Sequence, residues 1–369
     1  MGSLAWRRSA MNGIPADKLK YYRQLAQRGL WEIKDDRIGP FYERAQAEGV
    51  ELVSNNFSTL GMFRAPHSKC LDNVDIALVG IPLDIGVPNP RPGTRLAPRE
   101  LRYWSLDRNL AHHVTRICPF DLCSIIDWGD VEFTEDIYNL DADLAEIERV
   151  YAGFRGAGVI PLSIGGEHTC TYPVLRALGK EEPLCVIHLD AHCDTSVQFG
   201  GCRVSDATLL QNATVDGVID PEHTIQIGLR GRGMVRSDFS YDAGMRVVLA
   251  EEFQSRGVEA IVREARELIG DRRCYLTLDT DVIDCGDMPG TTLPEPFGLT
   301  GREVRDFIRG MRGMNLVGAD LMELSPVYDP TGKSACLASG LAFELLCVLA
   351  ETRALHTGRE NKTHWAKSE

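Results

Sequence analysis

From about residue 74 onward, short apolar runs alternate along the chain with stretches in which apolar and polar positions follow a helical period. The apolar runs are continuous, are rich in Val and Ile, and end in Gly or Asp, which is typical of parallel strands covered on both faces. They predict strands at 74–82, 122–131, 159–166, 184–190, 224–231, 246–250, 274–283 and 316–324.

The stretches between these runs repeat apolar residues every three or four positions, as helices do when one face packs on a sheet. They predict helices over 141–154, 255–269, 300–311 and 339–353. The alternation of strands and helices predicts one doubly wound α/β domain over residues 74–358, built on a mainly parallel sheet of about eight strands.

The residues before this domain show no strand pattern, so residues 1–73 are predicted to form a helical N-terminal extension. Two helical patterns, at 19–31 and 41–49, are separated by a breaker at 38–40. Residues 359–369 are predicted to be a C-terminal tail.

The composition, 44% hydrophobic and 25% charged over 369 residues, is that of an ordinary globular protein. The net charge of −13 would repel a polyanion, so we expect no nucleic-acid partner, and it suits a small cationic substrate. No apolar run approaches the length of a spanning helix, so no membrane partner is expected. The 11 Cys are not spaced as disulfide pairs and the N-terminus lacks the apolar core of a secretory signal, which indicates a cytoplasmic protein.

Acidic and histidine side chains collect where three of the predicted strands end, which is where open α/β sheets bind their ligands. They are His168 in SIGGEHTC, Asp190, His192 and Asp194 in HLDAHCDT, and Asp279, Asp281 and Asp284 in LTLDTDVID. Because alternate residues of an extended segment point to one face, we expect Asp190, His192 and Asp194 to converge, and Asp279 and Asp281 likewise.

Buried carboxylates at this density require a compensating cation, and the sequence offers no nearby run of Lys or Arg. Mixed Asp and His ligands suit divalent Mn²⁺, Ni²⁺ or Zn²⁺. The number of candidate ligands exceeds what one ion with an open position needs, and fits two ions that share carboxylates. The alternatives are a buried salt-bridge network for DAHCD and a helix N-cap turn for GGEH, and both weaken when the three clusters are taken together.

Longer motifs around these residues resemble those of a known family. GGEHTCTYPVLRAL, LDAHCDT and TLDTDVIDCGDMPG are similar to the three signatures of the ureohydrolases, the family of arginases and agmatinases. GIPLDIGVPNPRPGTRLAPRELR, IIDWGDV, IQIGLRG and VGADLMELSPVYDPTG stand in family order, so the resemblance covers about residues 74–355. It implies an arginase-like three-layer α/β fold and the hydrolysis of a guanidino compound to urea and an amine.

The resemblance also implies a site with two divalent ions, Ni²⁺ or Mn²⁺. Their ligands would be His168, Asp190, His192, Asp194, Asp279 and Asp281. Asp190 and Asp279 would bridge the two ions, with His168 and Asp194 on the first and His192 and Asp281 on the second. Asp194 would also be catalytic by accepting a hydrogen bond from the attacking water. Glu323 would be the catalytic and substrate-binding carboxylate that pairs with the guanidinium.

The chain departs from the family pattern in ways that bear on the substrate. Asp206 stands where agmatinase-like members have a histidine that is proposed to shuttle protons, so Asp206 is the candidate for that role. Phe297 adds a large apolar side chain to a loop expected near the site. Thr195 and Ser196 follow Asp194 where arginases carry an asparagine, so arginase activity is not expected. His188 is expected to be a packed histidine.

These departures and the N-terminal extension favour guanidine or an alkylated guanidine such as metformin as substrate, in the branch of guanidine and metformin hydrolases. The alternatives are agmatine or guanidinobutyrate, or a role as one subunit of a mixed assembly that needs a homologous partner chain. Family resemblance further implies a trimer or hexamer.

Overall fold

The computed structural model describes residues 14–27, 33–47, 61–86, 91–106, 108–133, 138–198, 201–232 and 238–357. The chain divides into two compact units, the first formed by residues 1–51 with 364–369 and the second by 52–363. The described helices of the first unit are α1 (Ala16–Leu25) and α2 (Gly39–Ala47), which fall close to the two helices predicted there. The C-terminal tail predicted at 359–369 lies outside the described residues.

The second unit is built on one eight-stranded sheet in which every strand pair is parallel. The strands are β1 (Ile76–Gly80), β2 (Ile125–Asp130), β3 (Ile160–Ile164), β4 (Cys185–Leu189), β5 (Ile225–Leu229), β6 (Arg246–Leu249), β7 (Cys274–Asp279) and β8 (Leu316–Met322). Their order across the sheet is β2-β1-β3-β8-β7-β4-β5-β6. Each predicted strand therefore occurs, and the predicted α/β fold class is confirmed.

Helices cover both faces of the sheet. They are α3 (Ala97–Ser105), α4 (Pro119–Leu122), α5 (Leu140–Ala157), α6 (Thr171–Leu178), α7 (Leu209–Val215), α8 (Asp238–Asp242), α9 (Ala250–Arg256), α10 (Val258–Ile269), α11 (Gly301–Gly310) and α12 (Lys333–His356). One apolar core contains residues of α3, α4 and α9–α12, and the other contains residues of α5–α7. This is the three-layer arrangement that continuous apolar strands require.

Two details differ from the sequence pattern. The helix predicted over 255–269 begins at Val258, because Gly257 adopts a positive φ of 80° and separates α9 from α10. Met62 and Phe63, which lie within the predicted extension, are packed in the core beside α3 and α12. The domain boundary at residue 73 stays a prediction.

Helix α12 is apolar on all sides, with a mean hydropathy of 1.6 over its best 18-residue window, and by length and composition it could cross a membrane. In the protein, 83% of that window is buried. Packing in the core accounts for its apolar character.

Candidate metal centre and active site

The candidate site lies at the carboxyl edge of four neighbouring strands, β3, β8, β7 and β4. His168 begins a short 3-10 turn (His168–Cys170) after β3, and Glu323 follows β8 directly. Asp279 ends β7, Asp281 lies in the next turn (Thr280–Val282), and Asp190 follows β4. Because parallel strands end at one edge, residues that are distant in sequence meet there.

The first cluster surrounds the imidazole of His168. Its Nδ1 lies 3.0 Å from Asp190 Oδ2, 3.1 Å from Asp194 Oδ2 and 3.3 Å from Asp279 Oδ2. All four side chains are buried. Among the described residues, neither His168 Nδ1 nor Asp190 Oδ2 has a hydrogen-bond partner of acceptable geometry. Buried polar atoms left unpaired and aimed at one point fit a cation that would satisfy them.

The other nitrogen of His168 sets which atom can act as ligand. Thr277 Oγ1 donates to Asp320 Oδ1 at 2.6 Å, so it accepts from His168 Nε2, which lies 2.7 Å away. Asp320 Oδ2 also accepts hydrogen bonds from the hydroxyls of Thr171 and Tyr275. With one proton held on Nε2, Nδ1 is the nitrogen that can give up its proton and act as a metal ligand.

The second cluster shares Asp190 with the first. His192 Nδ1 lies 2.9 Å from Asp281 Oδ2 and 3.5 Å from Asp190 Oδ1. Asp190 therefore turns one oxygen toward each cluster, which is the geometry of a bridging carboxylate. Asp279 Oδ2 also faces His168, and its Oδ1 accepts the backbone N–H of Asp281, as Asp190 Oδ1 accepts that of His192.

Asp284, which the sequence grouped with these residues, lies apart from both clusters. Its two carboxylate oxygens accept the backbone N–H groups of Gly286 and Gly298. It therefore holds its own loop rather than facing the site.

His188 does more than pack. It is fully buried on β4, and its Nε2 lies 2.9 Å from Asp190 Oδ2. Gln226 Nε2 donates to its Nδ1 at 3.1 Å and to the carbonyl oxygen of Cys193 at 2.7 Å. His188 therefore lies directly against Asp190 and belongs to the same group of buried side chains as His168 and Asp194.

The residues that support the site belong to one line across the sheet, which we call the polar row. Strand register aligns Gln226, His188, Thr277, Asp320 and Ser163, on β5, β4, β7, β8 and β3. All five are fully buried between apolar neighbours. The metal-binding candidates stand at the edge of the sheet just beyond this row.

The side chains of the loop after β4 converge, but not through the strand alternation that the sequence predicted. Strand β4 ends at Leu189, so Asp190, His192 and Asp194 do not alternate along a strand. Asp194 instead adopts a left-handed backbone conformation with φ of 53°, which Asp tolerates better than most residues. This bend returns its carboxylate to His168.

The charges at the centre are strongly perturbed. Burial, followed by the negative charges of Asp281 and Asp190, raises the pKa of Asp279 well above its ordinary value. Burial acts to raise the pKa of Asp190, but the neighbouring histidines hold it well below its ordinary value. Burial acts to lower the pKa of His168, but the surrounding carboxylates raise it well above its ordinary value. Protons thus partly neutralise a cluster that divalent cations would neutralise directly.

A cavity of about 340 Å³ opens onto both clusters, and Asp206 and Glu323 line it. Glu323 Oε1 accepts the backbone N–H of His168 at 2.6 Å, and its Oε2 accepts the hydroxyl of Thr292. Burial and the charge of Asp206 raise the pKa of Glu323 to about 8. Burial and the charge of Asp194 raise the pKa of Asp206 to about 7.

Glu323 itself has a left-handed φ of 66°, which is strained for this residue type and is typical of functional sites. Phe297, expected near the site, is 81% exposed and is not among the described residues that line the cavity. Cys193 packs in a small apolar cluster with Leu229 and Val247 and also lines the cavity.

Sequence reasoning missed the supporting polar residues, among them Thr277, Gln226 and Thr292. Thr277 lies two residues before Asp279 and so shares its face of β7, which was a usable signal. The other two come from a neighbouring strand and a loop, so their contacts depend on register and packing.

Comparison with known proteins places this geometry in a family. Guanidinopropionase of Pseudomonas aeruginosa is 42% identical over 284 residues, covering 76% of this chain and 88% of that protein. Guanidinobutyrase of the same organism is 40% identical over 294 residues, covering 78% and 91%. The structure of proclavaminate amidinohydrolase from Streptomyces clavuligerus matches with a TM-score of 0.77 and 33% identity, covering 82% and 99%. A model of the arginase family matches residues 74–347, and the chain belongs to this family of ureohydrolases.

Proposed function

We propose that the chain hydrolyses a small compound with a cationic guanidinium group to urea and an amine, using two divalent metal ions. The observation that supports this most directly is the pair of His and carboxylate clusters that share Asp190 and open onto the same cavity as Glu323. A structural network would also satisfy its buried polar atoms with hydrogen bonds, whereas among the described residues His168 Nδ1 and Asp190 Oδ2 face each other at 3.0 Å and neither has a hydrogen-bond partner of acceptable geometry.

The residues present fit two ions. The first would be held by His168, Asp190, Asp194 and Asp279, and the second by Asp190, His192, Asp279 and Asp281. Both Mn²⁺ and Ni²⁺ accept this donor set. Bound metal supplies the charge that makes water nucleophilic near neutral pH.

Glu323 is the proposed receptor for the substrate guanidinium. Two of its oxygen lone pairs are taken by His168 N–H and the Thr292 hydroxyl, and the others remain for a planar, bidentate cation. Its pKa of about 8 reflects burial among other carboxyls without a cation. A bound guanidinium would favour the ionised form, so substrate binding and ionisation of Glu323 reinforce each other.

The reaction consumes one water for each guanidinium. A bond forms between the water oxygen and the guanidinium carbon, the bond from that carbon to the substituted nitrogen breaks, and both water protons end on the departing amine. Asp194 would accept a hydrogen bond from the attacking water. Asp206, which lines the same cavity, would carry a proton to the leaving nitrogen.

The finer assignments remain proposals. The sequence favours guanidine or an alkylated guanidine, with agmatine or guanidinobutyrate as alternatives. A cytoplasmic trimer or hexamer, formed by this chain alone or with a homologous partner chain, stays a prediction.

The test is product release by protein loaded separately with Mn²⁺ or Ni²⁺. The product measured is urea, except for metformin, where loss of the substituted nitrogen gives dimethylamine and guanylurea. The compounds are guanidine, methylguanidine, metformin, agmatine, guanidinobutyrate and arginine, and the Asp190→Ala variant gives the background. We expect product from at least one compound other than arginine. Protein that binds two metal ions and releases no product from any of them would refute the proposed function and favour a metal-binding subunit that needs a partner.

A further inference from the structure

The cavity has acidic and basic side chains at different positions. Asp194, Asp206 and Glu323 contribute carboxyl groups, and all three residues are at most 6% exposed. Among the described residues that line the cavity, Arg232 is the one Lys or Arg. Its side chain is 74% exposed, so it lies at the solvent side of the cavity while the carboxylates lie at the buried side.

Arg232 is held in place by a buried acid. Its Nε lies 3.1 Å from Oε1 of Glu295, whose side chain is only 9% exposed. The chain reaches this position through Gly231, which has a φ of 57° and passes so close to Glu295 that an added Cβ would lie 2.3 Å from the Glu295 carboxylate. Glycine at position 231 therefore allows the close approach that leaves Arg232 in contact with Glu295.

The contact to Glu295 uses only one edge of the guanidinium. Among the residues that the structure describes, none hydrogen-bonds to the two terminal Nη groups of Arg232. A guanidinium anchored through Nε keeps its terminal donors for a second carboxylate, in the fork geometry that arginine offers and lysine does not.

We propose that Arg232 binds a carboxylate at the far end of the substrate, so that the preferred substrates are ω-guanidino carboxylates. This rests on the proposed hydrolysis of a guanidino compound at the same site. The guanidinium would be bound by Glu323 at the buried side and the carboxylate by Arg232 at the exposed side. An ammonium group in the carboxylate's place, as in agmatine, would meet Arg232 with a like charge. Guanidine and metformin offer Arg232 no carboxylate.

The experiment compares substrates that differ in charge at this end. At the end away from the guanidinium, guanidinobutyrate carries a carboxylate and its isostere guanidinobutyramide carries an uncharged amide. Agmatine carries an ammonium group there. Steady-state urea release gives KM and kcat for each with metal-loaded wild-type protein and with Arg232→Gln. We expect Arg232→Gln to raise KM for guanidinobutyrate about 10- to 100-fold, which corresponds to about 1.4–2.7 kcal/mol, with kcat little changed. KM for the amide should not change.

A charge reversal and a matched control sharpen the result. In Arg232→Glu, agmatine should become a better substrate than guanidinobutyrate. Arg149→Gln is the control, because Arg149 is also exposed and paired with one glutamate, Glu146, but lies on α5. It should leave all three substrates unaffected.

Other outcomes separate this inference from the proposed function. Arg232 does not bind a carboxylate if Arg232→Gln changes KM equally for guanidinobutyrate and its amide, or if the wild type does not prefer guanidinobutyrate. If no urea is released, calorimetry on metal-loaded protein decides. Tighter binding of guanidinobutyrate than of its amide, lost in Arg232→Gln, would uphold the carboxylate site while the proposed hydrolysis fails. Equal or absent binding would overturn both.

Discussion

Replacing Thr277 by Val tests whether the hydrogen bond at Nε2 holds the His168 imidazole in its metal-binding tautomer. Thr277 Oγ1 accepts from His168 Nε2 at 2.7 Å and donates to Asp320 Oδ1 at 2.6 Å. Valine has nearly the same shape but can do neither. His168 Nε2 and Asp320 Oδ1 would both lose a partner in a fully buried region, while Asp320 would keep Thr171 and Tyr275.

The size of the effect follows from these contacts. Loss of a hydrogen bond that orients a ligating histidine typically lowers metal affinity about 10- to 100-fold. Leaving buried polar groups unpaired also lowers the free energy of unfolding by about 1–3 kcal/mol for each group. We therefore expect Thr277→Val to bind metal about 10- to 100-fold more weakly and to melt at a lower temperature.

The assay is competition for metal with a fluorescent chelator, followed by urea release at saturating metal. Affinity should fall in Thr277→Val and be retained in Thr277→Ser, which keeps the hydroxyl, and activity should return close to wild type once metal saturates the site. Thr224→Val is the matched control. Thr224 is equally buried and hydrogen-bonded, to Asp220 O at 2.7 Å, but lies away from the site.

That control should lose stability without losing metal affinity. A folded Thr277→Val protein with unchanged metal affinity would refute the reasoning, and so would an equal loss of affinity in Thr224→Val.

Asp190→Ala should lose both metal ions and all activity, since the residue faces both clusters; metal analysis showing one ion still bound at full occupancy would contradict its bridging role. Glu323→Gln should raise KM while metal content stays at the wild-type level, and loss of metal would mark Glu323 as a ligand or support. Asp206, with a pKa raised from 3.8 to about 7, keeps in the folded state a proton that the unfolded chain loses. Metal-free protein should therefore lose stability as pH rises from about 4 to 7, and thermal melts of Asp206→Asn should show a smaller loss.

The sheet could be predicted because its signal is local. Runs such as CVIHL in β4 are short and apolar at nearly every position, as a strand covered on both faces requires. Strand ends were less predictable, since β4 ends at Leu189, one residue before the first candidate ligand. The helix boundary at Gly257 depended on a positive φ that the surrounding helical pattern concealed.

The residues of the site also divide into those that could be predicted from the sequence and those that could not. His168, Asp190 and Asp279 could be named from sequence because polar residues at or just beyond the ends of apolar strands are conspicuous. Arg232 and Glu295 could not, because their contact depends on how two loops more than sixty residues apart fold against each other. Nothing in either segment alone distinguishes a cavity-lining arginine from a solvated one.

The polar row has a consequence for how the chain finds its fold. Strands that are apolar on both faces resemble one another, so hydrophobic burial alone distinguishes poorly between the native pairing and one shifted along the strand. A shift by one residue would turn a buried Asp320 or Thr277 to the opposite face of the sheet, among apolar side chains and away from its partners. The row thus penalises misaligned pairings across five strands, and the same alignment brings the strand ends level where the metal ions would bind.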